Sequence, residues 1–193
     1  DDAPGNGKPK PGAAELPVRA AVGLLELVED PRQLVGGDAD LARPLLNGHF
    51  ATLYLAPKDY HRIHMPSDGK LTRMIHVPGD LFSVNPTTAR GVPGLFARNE
   101  RVVCVFEGHR GPWVLVLVGA TIVGSMATVW HGVVNPPRPG SIRDWRYEGD
   151  QAVALKQGDE MGRFLLGSTV VLLFPKGDLQ FNATWATGRA IRL

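Results

Sequence analysis

Residues 164–177 read "FLLGSTVVLLFPKG", an apolar run with a Gly-Ser-Thr step inside it. As one buried strand the run is odd. Gly167 weakens a strand there, and the hydroxyls of Ser168 and Thr169 need partners. A Gly-Ser step can also cut itself. The serine hydroxyl attacks the carbonyl of the residue before it, and glycine at that position lets the backbone bend enough. The attack needs a base for the hydroxyl proton and donors to hold the oxyanion, and it yields an ester by an N-to-O acyl shift. β-Elimination opens the ester and leaves a dehydroalanine, which hydrolyses with loss of ammonia to a pyruvoyl group. The product is a ketone made from the chain itself. "LGST" alone does not separate this chemistry from an ordinary Ser and Thr on one pleat of a strand.

A base for such a step is found among the histidines. His61 and His64 lie close together in "YLAPKDYHRIHMPSDG". On a helix that spacing would put both rings on one face; after "APKDY" a strand-to-turn setting fits better. Asp59, Arg62 and Asp68 stand near enough to orient or charge an imidazole, as general acid–base work requires. The same two rings also read as polar residues held by hydrogen bonds. As a metal site the pair lacks a third ligand at a recognisable spacing, so no metal is expected. Asp59 precedes His61 by two residues. In a tight turn its carboxylate caps its own backbone rather than pairing with the ring. Cys104, in "RVVCVFEG", is the one cysteine, so no internal disulfide forms, and its apolar neighbours make it a core residue.

The elements that must position these residues follow from pattern and composition. The chain has 193 residues, 44% hydrophobic and 21% charged, which suits one soluble globular domain with a sizeable core. With 23 Gly and 16 Pro it is rich in turns, favouring many short strands. A net charge of +2 is too small to argue for nucleic acid, and no aromatic stacking motif of that kind is present. No apolar run is long enough to span a bilayer. The chain opens "DDAPGNGKPKPG" without Met and without the pattern of a signal peptide, and reads as starting inside a longer natural sequence or as a processed or recut chain.

Residues 1–15 read as a flexible arm. From Leu16, "LPVRAAVGLLELVED" has the three-and-four spacing of an amphipathic helix, stopped by Pro31. A second helix is expected at about 38–47, with Gly48 as its stop. From His49 the pattern turns to β. Strands are expected in "HFATLYLAP" and "KLTRMIHVPG", then a hairpin turned at "GHRG", a further strand, and strands in "TVWHGVV" and "TVVLLFPKG". "NPPRPGSIRDWRYEGD" reads as a long polar loop. The fold class is α+β: a β-rich single domain of antiparallel strands over 16–193, with a few helices at the N-terminal end.

The segments "YLAPKDYHRIHMP", "VPGDLFSVN", "LFARNERVV", "LVGATIVGS" and "MGRFLLGSTVVLLF", in this order, closely resemble the bacterial phosphatidylserine decarboxylases. The resemblance covers about residues 45–177. It implies a pyruvoyl-dependent enzyme that makes its cofactor by cleaving itself between Gly167 and Ser168. Ser168 becomes the pyruvoyl group at the start of a small subunit, 168–193, and residues 1–167 form the large subunit. His61 matches the family's histidine in "DYHR", a base for processing and catalysis. His64 matches the second histidine, near the reacting centre. Tyr54, Phe82 and Ser83 lie in segments that line the substrate pocket. The ketone takes up the amine of the serine headgroup and then the electrons released as carbon dioxide leaves.

The partners implied are phosphatidylserine, a membrane surface and the chain's own small subunit, with room for a homodimer. The location implied is peripheral, on the cytoplasmic face of the bacterial inner membrane. Arg138, Arg143 and Arg146 beside Trp145 offer one means of attracting anionic lipid. One departure stands out. The family joins His and Ser to an Asp from an upstream "P-x-D-G" motif, and nothing between Asp1 and Gly48 matches it; "PSDG" at 66–69 corresponds to a different segment. Either a natural N-terminal part is missing, or the chain is a variant without it. The alternative reading is therefore an unprocessed or truncated relative, without activity, that binds lipid or a partner.

Overall fold

The structure, a computed structural model, describes residues 20–22, 30–121, 125–165, 169–182, 185 and 189–191. Its strands are β1 (Ala20–Val22), β2 (His49–Tyr54), β3 (Arg62–His64), β4 (Gly69–Val77), β5 (Arg101–Gly108), β6 (Gly111–Val118), β7 (Met126–Thr128), β8 (Gly132–Asn135), β9 (Arg143–Arg146), β10 (Val153–Leu155), β11 (Glu160–Phe164), β12 (Thr169–Phe174) and β13 (Arg189–Ile191). The α-helices are short: α1 (Pro31–Leu34), α2 (Ala39–Ala42), α3 (Pro86–Gly91) and α4 (Leu95–Arg98). The expected β-rich α+β domain of antiparallel strands is what forms, though α3 and α4 fall in mid-chain.

The strands make two sheets. A 9-stranded sheet runs in the order β10-β4-β5-β6-β12-β2-β1-β13, with β9 also on β4, and a 4-stranded sheet runs β3-β11-β7-β8. Residue parity shows how the layers stack. Val102, Cys104 and Phe106 of β5, Trp113, Leu115 and Leu117 of β6, and Val170 and Leu172 of β12 pack with Ile63, Met126, Met161 and Phe164 of the small sheet. The intervening residues, among them Val103, Val105, Val114, Val116, Val171 and Leu173, pack with Leu34, Ala42, Ala89 and Phe96 of the helices. Strands covered on both faces read as unbroken apolar runs, because period-two alternation appears only where one face meets water. Cys104 sits in this core, and burial pushes its thiol pKa up.

Local chemistry sets the helices. Asp30 caps α1 by accepting from the Arg32 amide (2.9 Å), with Pro31 in the first turn. Pro31 therefore opens a helix rather than stopping one. Asp38 caps α2, accepting from the Leu41 amide (3.0 Å), and the same carboxylate takes Nη1 of Arg73 (2.5 Å). The other side of that guanidinium forks onto Asp144 of β9. The Leu41 amide first, then Arg73, holds the Asp38 carboxyl below its usual range.

Three further expectations are corrected. Ala20–Val22, inside the expected N-terminal helix, is a strand between β2 and β13. The backbone edge of β2 overrides the helical spacing; the rest of that helix and the 1–15 arm lie outside the described residues, apart from Asp30. The expected polar loop at 135–150 contains β9, which covers the edge of β4 and lays Trp145 against the core. The run 164–177 is two elements: β11 ends at Phe164 in the small sheet, and β12 starts at Thr169 in the large one. The helix at 38–45 forms as expected, but Asn47 takes the left-handed conformation (φ 57°). Gly48 has a different task. A Cβ there would lie 2.0 Å from the Phe174 carbonyl oxygen, backbone that cannot swing away. Gly48→Ala should therefore lower the urea midpoint, by about 1–3 kcal/mol with the m-value unchanged.

Candidate functional site

The register brings one end of the large sheet into a row: Val77 pairs Arg101, Arg101 pairs Val118, Val118 pairs Thr169, and Thr169 pairs Tyr54. The small sheet ends at the same place, since the chain passes from Phe164 to Thr169. There the Phe164 amide donates to the carbonyl of His61 (3.0 Å) and the Leu165 amide to that of Ser125 (3.2 Å). Leu165 is 58% exposed, although the run around it is apolar. Gly167 and Ser168 lie outside the described residues, but the groups on either side of them are fixed.

His61 is one of these groups. Its Nδ1 donates to the Asp59 carbonyl, which assigns the proton to that nitrogen. Nε2 is left as an acceptor, buried, with no protein partner among the described residues. Thr169 is the other. It is 0% exposed, and its hydroxyl also lacks a partner. A buried polar atom left unpaired costs about 1–3 kcal/mol. Two such atoms lie on residues tied to the two strand ends, His61 through the Phe164 amide at the end of β11 and Thr169 at the start of β12.

His64 is held separately, on β3. Its Nδ1 donates to the Gly158 carbonyl (2.8 Å), and its Nε2 accepts from the Tyr60 hydroxyl (3.0 Å), with the Tyr60 ring stacked beside it. Asp59 does what its turn setting predicts. Its carboxylate accepts from the Ala56 amide (2.8 Å), and its own amide donates to the Ala56 carbonyl (2.8 Å). Only its backbone reaches His61. Asp68 of "PSDG" is spent on the turn before β11, taking the Gln157 amide and Nζ of Lys156 (2.8 Å each).

Of the expected pocket residues, Tyr54 stands beside Thr169, and burial first, then Asp59, raises its hydroxyl pKa. Phe82 and Ser83 are held to the end of β6 by Asn99. That side chain accepts from the Phe82 amide and donates to the carbonyls of Phe82 and Gly119 (2.8 Å each). Ser83 is exposed and accepts from Asn85 (2.9 Å). Gly79 lets this loop approach: a Cβ would lie 2.3 Å from the Arg98 carbonyl oxygen. Among the other histidines, His49, His109 and His131 are spent elsewhere, on the Gly177 carbonyl, on Arg110 and on Trp145.

Sequence reasoning missed the buried charges that brace this end. His76 Nε2 donates to Glu100 (2.9 Å), and Arg138 donates to the other oxygen of Glu100 (2.8 Å). Arg143 donates to His76 Nδ1 (3.4 Å) and to the Val134 carbonyl (2.6 Å). Arg138 and Arg143, expected to face lipid, thus engage the interior, while Arg146 is exposed. Arg101 is buried as well, its guanidinium donating to the carbonyls of Gln33, Leu34, Ala97 and Asn99. The available signal was "NER", polar residues at the mouth of the apolar run "VVCVF". No cluster of metal-ligating side chains occurs among the described residues.

Comparison with known proteins identifies relatives. A family model described as phosphatidylserine decarboxylase matches residues 23–193. The phosphatidylserine decarboxylase proenzyme of Polaromonas naphthalenivorans is 78% identical over 162 residues, 83% of this chain and 56% of that protein. Those of Albidiferax ferrireducens and an Azoarcus species are 78% and 77% identical over 160 residues, again 83% of this chain. The chain spans about half the length of the curated relatives it matches.

Asp59→Asn should cost up to about 1 kcal/mol of stability through the weakened turn and leave the reactivity of the 167–168 bond intact, measured by denaturation beside a cleavage assay. Glu100 yields a pH prediction. Burial pushes its pKa up, but the hydrogen bonds from His76 and Arg138 outweigh it and hold the carboxyl below its usual 4.5. Its stabilising contribution is full above that value and fades as pH falls through the lowered one. Glu100→Gln should therefore cost about 1–3 kcal/mol at pH 7, and this difference should shrink below about pH 4 in parallel melts.

Proposed function

The chain belongs to the phosphatidylserine decarboxylase family, and from that premise we propose that it cuts its own Gly167–Ser168 bond and decarboxylates phosphatidylserine to phosphatidylethanolamine. The observation that supports this reading is a pair of buried, unpartnered polar atoms, one on His61, whose carbonyl binds the Phe164 amide at the end of β11, and one on Thr169 at the start of β12. His61 Nε2 offers a lone pair to a hydroxyl proton, and Thr169 offers a hydroxyl, in a buried setting where both act strongly.

The donor set fits a pyruvoyl group at residue 168, because His61, Thr169 and Tyr54 supply an acceptor, a hydroxyl and a half-buried phenol, and no metal-ligating cluster occurs among the described residues. That group supplies the electron sink for the carbanion that decarboxylation leaves. The chain's own residues do the rest. His61, oriented through Nδ1, exchanges protons at Nε2, and His64, oriented through Gly158 and Tyr60, is the second imidazole of the site. Tyr54 and the Phe82–Ser83 loop wall the substrate side.

Cleavage at 167–168 leaves the small subunit in place. β12 lies between β6 and β2, paired along its length on both sides, and Val170, Val171, Leu172 and Leu173 are buried. Segment 168–193 therefore stays as a partner of segment 1–167. The substrate carries two acyl chains, so the enzyme works at a membrane surface. Among the described residues no helix is long and apolar enough to cross a membrane; the attachment proposed is peripheral, at the cytoplasmic face of the inner membrane.

A denaturing mass spectrum tests the reading. The chain, or the same chain extended at its N-terminus to the length of its relatives, should give two fragments divided at 167–168 that separate only in denaturant. The smaller should react with borohydride, and Ser168→Ala should stay whole. A preparation that remains one chain in both lengths overturns the reading. His61→Ala should lower decarboxylation by about 10²–10⁴-fold. If that variant still cleaves, the hydroxyl proton goes to His64 instead.

A further inference from the structure

We propose that Asn99 is a positioning residue for substrate: its buried amide sets the place of the Phe82–Ser83 loop, and that place governs how tightly phosphatidylserine is held. The inference rests on the reading above that this loop walls the substrate side.

Residues 80–83 form no strand or helix, and Asp80 and Ser83 are exposed. Such loops are ordinarily the least stable parts of a fold, because few apolar contacts hold them. This one is held residue by residue. The Asp80 amide donates to the Arg98 carbonyl (2.9 Å) and the Glu100 amide to that of Asp80 (2.8 Å), a parallel bridge outside either sheet. The Thr121 hydroxyl donates to the Leu81 carbonyl (2.5 Å). The Arg98 guanidinium lies over the Phe82 ring, 4.6 Å from its centre. Asn99 takes both backbone groups of Phe82: Oδ1 accepts from the amide (3.1 Å), and Nδ2 donates to the carbonyl (2.8 Å).

Nδ2 also donates to the Gly119 carbonyl (2.8 Å), so one planar amide spans the loop and the end of β6. Val118, just before Gly119, pairs with Arg101 and with Thr169, and Thr169 pairs with Tyr54. The amide thereby sets the loop against the row that carries Tyr54 and Thr169. Asn99 is itself fixed. It is 0% exposed, its amide donates to the Leu95 carbonyl (3.1 Å), and its carbonyl accepts from Arg101 (3.0 Å). The residue type is specific. Aspartate has no hydrogen to give and would set a charge against two carbonyl oxygens. Leucine, of similar shape, would leave the Phe82 amide and both carbonyls without this partner.

The Ser83 hydroxyl accepts from Asn85 Nδ2 (2.9 Å), which leaves its hydrogen for an acceptor beyond the loop. The substrate's headgroup offers phosphate and carboxylate oxygens as acceptors, and a donor placed in advance costs less to engage. A loop that leaves its place part of the time binds in proportion to the time it stays there. KM then rises by that factor while kcat does not fall.

The test compares the parent with Asn99→Ala, Thr121→Val and Gly48→Ala, in whichever length of chain decarboxylates. Gly48, packed on the Phe174 carbonyl at the other end of β12, controls for a general loss of stability. Thr121 is exposed, so its variant keeps the fold and decides alone if Asn99→Ala does not fold. Turnover is measured on phosphatidylserine in detergent mixed micelles and expressed per cleaved molecule, beside deuterium exchange of segment 80–83. Asn99→Ala should raise KM about tenfold and Thr121→Val about threefold, with kcat within about threefold of the parent. Both should speed exchange in the loop and leave cleavage at 167–168 as complete as in the parent. Gly48→Ala should melt lower with KM unchanged. A parent KM in both loop variants overturns the proposal, whether or not exchange has quickened. So does a fall in kcat at constant KM, or an equal rise in KM in Gly48→Ala, because general loosening would then account for it. A parent that decarboxylates in neither length removes the decarboxylase reading, and this assignment with it.

Discussion

The large sheet is sealed on both faces, and the rest of the molecule follows from that. Helices cover one side and the four-stranded sheet the other, so its central strands carry apolar residues at both parities. Polar chemistry has no room in the middle of such strands, where an unpaired group is costly and a charge more so. It is confined to the strand ends. One end of the sheet has the β5–β6 hairpin with His109 and Arg110 in its turn; the other has Tyr54, Thr169, Arg101 and the Asn99–Phe82 loop.

The second end becomes a site because the two sheets are joined there. β11 belongs to one layer and β12 to the next, and residues 165–168 make the change. A serine in the interior of either strand would be enclosed and fixed by the ladder. The described flanks of the crossing are anchored, by Phe164 on His61 and by Thr169 between β6 and β2. Glycine before the serine suits a backbone that must bend at the moment of attack. The buried Glu100 carboxylate, with His76 and Arg138, braces the same end. Its worth lies less in net stability, since buried ion pairs often gain little, than in tying β4, β5 and the segment after β8 to one geometry.

Much of this was legible in the residues. The strands with long apolar runs, the hairpin at 108–111, the capped helix at 38 and the backbone cap by Asp59 all follow from local pattern and turn chemistry. Motifs point to the candidate site; in the structure Tyr54 pairs with Thr169, Asn99 ties the 82–83 loop to the end of β6, and the His61 carbonyl takes the Phe164 amide. What stayed hidden was non-local. The break within 164–177 depends on which sheet each half joins, and an apolar strand sealed on both faces looks alike in either. β9 exists because β4 has an edge to cover, and β1 because β2 has one, and neither need is written in the segment that meets it. The burial of Asn99, Glu100 and Arg101 depends on carbonyls and side chains brought from far along the chain.

That dependence on distant parts bears on when the chain can react. His61 comes from the entry to β3 and Thr169 from the start of β12, far apart in sequence. The Phe164 amide that binds the His61 carbonyl forms its bond only once β11 lies beside β3. β12 is fixed only once β2 and β6 are both in place. An unfolded or half-folded chain thus has a Gly-Ser step without His61 brought near it, and on the proposed reading such a step lacks its base. On the proposed reading cleavage follows folding, when the segment after residue 168 is already a central strand of the sheet. On that reading, the same strand pairing that follows the step also retains its product.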